Sequence, residues 1–256
     1  MTSKSSIALV TGASRGIGRQ ICLDLSESGH FVIGVARKSS SLESLGKILE
    51  NSPSGGEVIA LDLDSQSASS DLVRLVKHEV GILVHNVGGN LGLTDPLGSS
   101  HEFLRVISHN IALSIDLNSH FVPSMQERGW GRVCHISSIS ALENQGPPSY
   151  SAAKASINSY VRGLGRYVAK DGVVVTSLMP GAVLTEGGYW DEASKERPEH
   201  VRNFVRERMA IGRLGTVSEI SSVVSFLVSK DSSFMSGSCI LVDGGQGRVI
   251  QLGDQV

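Results

Sequence analysis

The stretch Ile7-Ala-Leu-Val-Thr-Gly-Ala-Ser-Arg-Gly-Ile-Gly18 places a short apolar run directly before three closely spaced glycines. Ile17, Ile21 and Leu25 then recur every four residues, which predicts the buried stripe of a helix. A glycine-rich turn between a strand and a helix lets the backbone approach a pyrophosphate, with N–H groups and the positive helix end facing it. The spacing Gly-x3-Gly-x-Gly differs from the usual Gly-x-Gly-x-x-Gly. A tight turn without any ligand therefore stays open as the alternative for this segment.

Short apolar runs alternate with longer helical patterns along the rest of the chain. The predicted strands are 7–10, 31–36, 57–61, 81–85, 132–136, 173–178 and 239–242, and the predicted helices are 16–28, 68–79, 101–127, 149–170 and 216–229. Strands separated by helices imply right-handed crossovers and a parallel sheet covered on both faces. The predicted fold class is therefore α/β: a doubly wound Rossmann fold of about seven parallel strands, in a single domain over residues 1–256.

Composition narrows the classes of function. The 256 residues carry a formal net charge of −2, so there is no basic footprint for nucleic acid or an anionic membrane. No apolar run approaches the roughly 18 residues that span a bilayer. The N-terminal strand leaves no room for a signal peptide, and the three widely spaced cysteines favour reduced thiols over a disulfide or metal site. We expect a cytoplasmic protein without nucleic-acid, membrane or metal partners.

Tyr150 and Lys154 are spaced as Tyr-Ser-Ala-Ala-Lys at the start of a predicted helix. Side chains four apart on a helix share one face. A lysine ammonium there favours the phenolate, so we expect the pKa of Tyr150 to lie below its ordinary value of about 10. Such a phenol can exchange a proton with a carbonyl or alcohol oxygen. The same pair also occurs by chance in many helices, so its meaning depends on the rest of the chain.

Glycine and polar residues follow several predicted strands directly. They are glycines 12–18, Asn86–Gly89, Ser137-Ser138 and Pro180-Gly181. A doubly wound sheet binds its ligand in the crevice at the carboxyl ends of its strands, so these residues are expected to meet there. Asn110 lies within the predicted helix 101–127, where asparagine is an unfavourable choice. It is either a satisfied polar group inside the helix or a functional one.

Taken in order and spacing, these motifs resemble the short-chain dehydrogenase/reductase family over residues 5–247. The matching residues are Thr11–Gly18, Asp62, Asn86–Gly88, Asn110, Ser138, Tyr150-x3-Lys154, Pro180-Gly181 and Val242–Gly245. The resemblance implies a nicotinamide-dependent oxidoreductase of the single-domain, NADP-preferring branch, similar to 3-oxoacyl-carrier-protein reductases. It also implies a homotetramer that pairs the long helices at 101–127 and 149–170.

The resemblance implies roles for four residues. Tyr150 would be the general acid in reduction and the general base in oxidation, and Lys154 would lower its pKa and bind the nicotinamide ribose. Ser138 would donate to the substrate oxygen, and Asn110 would hold a water that links Lys154 to solvent. Ser137, whose side chain points the opposite way, is the rival of Ser138.

The choice of cofactor follows from charge. In this fold an acid after the second strand grips the ribose 2′-hydroxyl of NAD, but here Arg37 and Lys38 follow, and Arg15 adds a cation in the glycine turn. Guanidinium groups bind phosphate with charge-assisted hydrogen bonds. NADP(H) is therefore predicted over NAD(H), with a solvated loop as the alternative for Arg37 and Lys38. The predicted cofactor contacts are Gly12, Ser14, Arg15, Gly16, Ile17, Gly18, Arg37, Lys38, Asp62, Leu63, Asn86, Gly88, Tyr150, Lys154, Pro180, Gly181, Val183 and Thr185.

Residues 183–212 fall where the family varies with substrate, and we expect them to form a mobile lid. Tyr189 and Trp190 within it either contact the substrate together with Ser138 or form the core of the lid. His85 and His135 lie inside predicted strands, so a structural role is favoured over a catalytic one. The expected function is hydride transfer between NADP(H) and a small carbonyl or alcohol substrate, a ketone or secondary alcohol. A catalytically silent NADP(H)-sensing module of the same fold is the alternative.

Overall fold

One parallel sheet forms the centre of the molecule in the computed structural model, which describes residues 6–143 and 145–248. Its seven strands are β1 (Ile7–Thr11), β2 (Phe31–Ala36), β3 (Gly56–Ala60), β4 (Val80–His85), β5 (Gly131–Ile136), β6 (Val173–Pro180) and β7 (Cys239–Val242). They are ordered β3-β2-β1-β4-β5-β6-β7, and all neighbours are parallel. Because the strand order reverses between β1 and β4, a crevice forms at their carboxyl ends.

Helices cover both faces of this sheet. The described residues form α1 (Gly16–Glu27), α2 (Ser40–Glu50), α3 (Ala68–Leu75), α4 (Ser100–Arg128), α5 (Pro148–Val168), α6 (Tyr189–Glu196), α7 (Pro198–Arg208) and α8 (Val217–Leu227). Side chains alternate along a strand, so Ala8 and Val10 pack into one buried cluster with α1, α2 and α8. Leu9 packs into the opposite cluster with α3, α4 and α5. This arrangement confirms the predicted doubly wound fold.

The seven strands match the predicted positions closely, but the five predicted helices leave out α2, α6 and α7, and the one predicted at 68–79 is too long. Helix α2 was not predicted, although Ser39 caps it by accepting a hydrogen bond from the Leu42 N–H at 3.2 Å. Leu42, Leu45 and Leu49 are buried along one face, so a serine cap followed by leucines at helical spacing was a readable signal. Helix α3 ends at Leu75 rather than at residue 79, because the next residue is already extended, with ψ at 113°.

Two helix starts place the polar residues of the crevice. Helix α4 begins with a capping box between Ser99 and Glu102, which fixes the entry of the chain and brings Asn110 to the level of the strand ends. Helix α5 begins at Pro148, where the missing N–H of proline costs nothing. Tyr150 therefore lies in its first turn and Lys154 one turn later.

Candidate active site

The glycine turn after β1 depends on the absence of side chains at three positions. Gly12 and Gly16 have positive φ angles of 69° and 57°, a region that favours glycine. A Cβ placed on Gly18 would lie 2.5 Å from the Asn86 Nδ2. That amide donates to the Gly12 carbonyl at 3.2 Å, and the Asn86 N–H donates to the Thr11 hydroxyl at 3.0 Å. Gly18 and Asn86 thus hold the turn tightly against the end of β4.

A cavity of about 390 Å³ opens above this turn. The predicted cofactor contacts that line it are Gly12, Ser14, Arg15, Gly16, Ile17, Arg37, Asp62, Leu63, Asn86, Gly88 and Thr185. The residue that precedes α1, Arg15, makes no side-chain capping hydrogen bond, and the first turn contains no acidic residue. Because the first N–H groups of a helix lack partners within it, the positive end of α1 is left to an anion in the cavity. These features fit the pyrophosphate of a dinucleotide.

The three predicted phosphate-binding cations occupy different places. Arg37 is exposed and lines the cavity, and within the described residues its guanidinium has no ion-pair or hydrogen-bond partner. Lys38 is exposed but lies off the cavity wall. Arg15 Nη1 donates to the Gly187 carbonyl at 3.0 Å, which ties the glycine turn to the segment before α6. Arg37 is therefore the cation placed to meet a phosphate.

Two acidic contacts on the same wall were missed in the sequence. Asp64 and Glu186 line the cavity beside Asp62, and Asp64 Oδ1 lies 2.7 Å from His109 Nδ1. The partners are 45 residues apart along the chain, so no local pattern signals their contact. The carboxylates of Asp64 and Glu186 would repel an anionic ligand in this part of the crevice. Such a ligand therefore depends more strongly on the positive charge of Arg37.

Seven predicted cofactor residues lie elsewhere around the crevice, and one of them, Tyr150, lines the second cavity described next. Gly18 packs beneath the turn, and Lys38 faces solvent. Lys154 is buried, and Pro180 is the buried last residue of β6. The remaining two border other cavities: Gly181 lines the second cavity described next, and Val183 lines a small cavity of about 80 Å³ with Met209.

A second cavity, of about 600 Å³, contains the predicted substrate contacts. Ser138, Tyr150, Tyr189 and Trp190 all line it. Residues 86–88 line the first cavity, and the next two residues, Gly89 and Asn90, line the second. The two cavities therefore border the same loop, the one that follows β4, and Tyr150 and Ser138 lie on the wall of the second.

Ser137 and Ser138 point in opposite directions, as expected for neighbours at the end of a strand. Ser137 is buried, and its hydroxyl donates to the Lys154 carbonyl in α5 at 3.1 Å. Ser138 caps the short 3-10 turn Ile139–Ala141, where its oxygen accepts from the Ser140 N–H at 3.1 Å. The Ser138 hydroxyl also lies close enough to the Tyr150 hydroxyl to lower the pKa of that phenol. Of the two serines, Ser138 is the one that meets Tyr150 in the cavity.

The prediction that Lys154 lowers the pKa of Tyr150 was wrong. Burial raises the pKa of Tyr150 above its ordinary value, and the nearby Ser138 hydroxyl only partly opposes this effect. Lys154 Nζ lies 5.5 Å from the Tyr150 ring centroid and donates to the Ile136 carbonyl at 3.0 Å. Desolvation of the buried phenol outweighs the neighbouring amine, whose own pKa burial lowers to about 8.

Asn110 forms the link between α4 and the loop after β4. Its Nδ2 donates to the carbonyls of Gly89 and Val106, both at 2.8 Å, and its Oδ1 accepts from the Gly89 N–H at 3.1 Å. A Cβ on Gly88 would lie 2.5 Å from Asn110 Oδ1 and 2.8 Å from Lys154 Nζ. Glycine at position 88 therefore lets these two polar groups converge. Both N–H groups of the Asn110 amide already donate hydrogen bonds. Any further hydrogen bond to this side chain is therefore accepted by its Oδ1.

The buried ammonium of Lys154 predicts a specific pH dependence of stability. Its folded pKa of about 8 lies below its ordinary value of 10.5, so the unfolded chain binds more protons between these two values. The free energy of unfolding should therefore rise with pH through this window, by up to roughly 1.4 kcal/mol per pH unit. Relative to Lys154→Met, the wild type should gain stability in urea titrations as the pH rises from about 8 to about 10. A constant difference over that range would contradict the burial of a charged amine.

His85 and His135 form part of a buried polar cluster behind the crevice. His85 Nε2 lies 2.8 Å from Asn118 Oδ1, and Asn118 Nδ2 contacts His135 Nε2 at 3.3 Å and the Tyr160 hydroxyl at 3.2 Å. Burial lowers the pKa of His85 to about 4 and that of His135 well below its ordinary value. Both rings are therefore neutral near pH 7, and they join β4 and β5 to α4 and α5.

Two absences hold for the described residues, 6–143 and 145–248. Within them no helix combines the length and apolarity required to cross a membrane. The same part of the chain has no group of three or more His, Cys, Asp or Glu side chains able to hold a metal ion.

Comparison with known proteins supports one family. The family model described as enoyl-(acyl carrier protein) reductase matches residues 12–246. A 3-oxoacyl-[acyl-carrier-protein] reductase of Pseudomonas aeruginosa is 31% identical over 249 residues, which cover 96% of this chain and 98% of the relative.

Two solved structures extend this likeness to the fold. A 3-oxoacyl (acyl-carrier-protein) reductase from Agrobacterium tumefaciens with NADP bound has a TM-score of 0.87 at 30% identity, and the match covers 94% of each chain. The L-sorbose reductase of Gluconobacter frateurii, complexed with NADPH and L-sorbose, has a TM-score of 0.87 at 25% identity and covers 97% of this chain and 98% of its own. With the glycine turn and the Tyr150–Lys154 pair in place, the chain belongs to the short-chain dehydrogenase/reductase family of oxidoreductases.

Proposed function

We propose that this protein is an NADP(H)-dependent oxidoreductase that transfers a hydride between the nicotinamide and a ketone or secondary alcohol. The observation that carries this function is that two cavities border the same loop, at residues 86–90. One has the glycine turn and the positive end of α1 on its wall, and the other has the paired hydroxyls of Tyr150 and Ser138. A carbonyl bound beside these hydroxyls lies next to a dinucleotide site.

The roles of the side chains follow from their surroundings. When bound, NADPH supplies the hydride. Ser138 donates a hydrogen bond to the substrate oxygen and stabilises the negative charge that develops on it. Tyr150, whose raised pKa keeps the phenol protonated near neutrality, donates the proton to that oxygen in reduction and accepts it in oxidation. Lys154 and Asn110, converging at Gly88, position the ribose side of the cofactor and connect the amine to a proton supply.

The preference for NADP(H) is supported by Arg37. Its guanidinium lines the cavity, which suits a 2′-phosphate. Arg37 directly follows β2, whereas Asp62, on the same wall, follows β3. The reductases of Agrobacterium tumefaciens and Gluconobacter frateurii have NADP or NADPH bound. The silent sensor is the weaker alternative, because a chain without turnover has no need to bring Ser138, Tyr150 and Lys154 together.

Three broader features belong to the same proposal. Residues 1–256 form one domain, with a lid at about 183–212 that closes over the substrate. The protein is cytoplasmic and assembles as a homotetramer through α4 and α5. The exposed small residues Ala155, Ser159 and Gly163 on one face of α5 support this assembly, since they allow a second helix to approach closely.

The function is tested by mixing the protein with NADPH and a panel of ketones while the absorbance of the reduced cofactor is followed. We expect absorbance to fall with at least one ketone, and NADH to be used more slowly than NADPH. The reverse reaction with NADP⁺ and the corresponding secondary alcohol should also proceed. Tight binding of NADPH without turnover in either direction would instead support the silent sensor.

A further inference from the structure

Two glutamine side chains meet in the wall of the second cavity. Gln145 precedes α5, and Gln246 follows the glycine pair at the end of β7. Both line the cavity, and Gln246 Nε2 lies 3.5 Å from Gln145 Oε1. Gln246 is 3% exposed, so its amide is held in place although it comes from a distant part of the chain.

The chemistry of their other partners fixes which way each amide faces. Gln246 Oε1 accepts from the Ala182 N–H at 2.6 Å, and only the oxygen of an amide can accept from an N–H. Gln145 Nε2 donates to the Glu143 carboxylate at 2.9 Å, and only the nitrogen of an amide can donate to a carboxylate. The Gln246 Nε2 and the Gln145 Oε1 are therefore the atoms that face each other.

The two atoms that face each other, Gln246 Nε2 and Gln145 Oε1, form only a long hydrogen bond. A separation of 3.5 Å is at the limit of a hydrogen bond, so the Gln246 N–H groups and the Gln145 carbonyl keep most of their capacity. A donor and an acceptor side by side match a hydroxyl group, which accepts from one and donates to the other. A carboxylate would meet the Gln145 oxygen with repulsion, and a methylene would offer no hydrogen bond to the Gln246 N–H groups or to the Gln145 carbonyl.

Aromatic rings from the lid form one side of the cavity, together with His200. Trp190 packs against Phe204 with ring centroids 4.2 Å apart, and Tyr189 lies edge-on to Trp190 at 5.0 Å. All three rings line the cavity, and none of the described residues around it is Asp, Glu, Lys or Arg. Such a wall suits the flat face of a ring, and its volume of about 600 Å³ is in the usual range for small-molecule sites.

The lid offers little to an acidic carrier protein. Residues 189–208 contain five acidic and five basic side chains, so their charges balance. Lys195 pairs with Asp191 at 2.8 Å, and Arg202 pairs with Glu199. Arg206 also pairs with Glu207, so among the described residues of this segment only Arg197 and Arg208 stand outside an ion pair and are open to an acidic partner.

We propose that the second cavity selects a free, uncharged, ring-sized ketone that carries a hydroxyl away from its reacting carbonyl. The carbonyl lies at Tyr150 and Ser138, the ring lies against Trp190, and the hydroxyl bridges the Gln246 Nε2 and the Gln145 Oε1 from the cavity side. The inference rests on the proposed function, because it assumes that the carbonyl is reduced there. Gln246 is then a specificity-determining residue.

The test compares kcat/KM with NADPH for cyclohexanone, a hydroxycyclohexanone, an oxocyclohexane carboxylate and acetoacetyl-coenzyme A. We expect the hydroxylated ketone to be preferred over cyclohexanone by about tenfold, which is the worth of one well-formed hydrogen bond. The two anionic substrates should be poorer still. A preference for either anionic substrate, or no preference between the two neutral ketones, overturns the inference and leaves the proposed function standing. Failure of all four in both directions removes the proposed function and the inference with it.

Variants of Gln145 and Gln246 test whether this pair causes the preference for the hydroxylated ketone. Gln246→Glu keeps an oxygen for the Ala182 N–H but removes the donor, so the ratio of kcat/KM for the hydroxylated ketone to kcat/KM for cyclohexanone should fall from about ten to about one. Gln66→Glu adds the same charge at an exposed position outside the cavity and should keep the preference. If Gln246→Glu lowers thermal stability, Gln145→Met serves as the second variant, because it removes the acceptor instead. Retention of the full preference in both cavity variants contradicts the assignment.

Discussion

Replacing Tyr150 with Phe is expected to lower kcat for ketone reduction by roughly 10³-fold while leaving the affinity for NADPH nearly unchanged. Proton transfer from a positioned side chain contributes roughly 10²–10⁴-fold to the rates of such reactions. The substitution removes only the hydroxyl, so the ring still fills its place against the second cavity. Ser138 remains to polarise the carbonyl, which accounts for the residual rate. Steady-state kinetics with the best ketone and a fluorescence titration of NADPH measure the two quantities.

Tyr167 provides the matched control for this prediction. It lies on the same helix, α5, but its ring is 71% exposed and lies outside both cavities. Tyr167→Phe should therefore keep kcat within about twofold of the wild type, as expected for a surface substitution. If Tyr150→Phe reduced the ketone as fast as Tyr167→Phe, another group would be the proton donor, and the proposed mechanism would be wrong.

The sequence predicted the sheet well because the physical signal of its strands is local. A strand that is buried on both faces needs a nearly continuous apolar run, and β2 and β6 have one. The position of the crevice could be predicted from the same apolar runs, because the carboxyl ends of parallel strands lie along one edge of the sheet. Helix α2 shows the limit of this approach: its three buried leucines lie among serines, lysine and glutamate, and a short amphipathic pattern is easily taken for a loop.

Features that depend on the meeting of distant segments could not be read in this way. The direction of the Tyr150 pKa shift is set by how deeply the cavity encloses the phenol, and spacing along a helix carries no information about this depth. The same holds for the contact between Asp64 and His109 and for the hydrogen bond from the Ala182 N–H to Gln246. In each case the residue type suggested a polar role, but only the folded arrangement supplied the partner.

Replacing Arg37 with Glu is expected to lower kcat/KM for NADPH by about 100-fold and to leave kcat/KM for NADH within about threefold. A factor of 100 corresponds to about 2.7 kcal/mol, in the range reported for breaking a charge pair and placing like charges together. The reason is the composition of the wall: Asp62, Asp64 and Glu186 already line this cavity. Arg37 is the cation that offsets them at the end of β2, so its reversal leaves four acids on this wall against Arg15, which is bonded to the Gly187 carbonyl.

Lys38→Glu makes the same change of charge one residue further along, at an exposed position off the cavity wall. Because solvent and salt screen an exposed charge, this variant should lower kcat/KM for NADPH by less than about threefold. Measuring both variants with both cofactors at physiological ionic strength separates direct phosphate contact from a general effect of charge. Equal losses in the two variants would show that the phosphate responds only to the overall field of the loop. An unchanged ratio of NADPH to NADH use in Arg37→Glu would remove the basis in this chain for NADP(H) preference, because no other cation among the described residues reaches that wall without a protein partner.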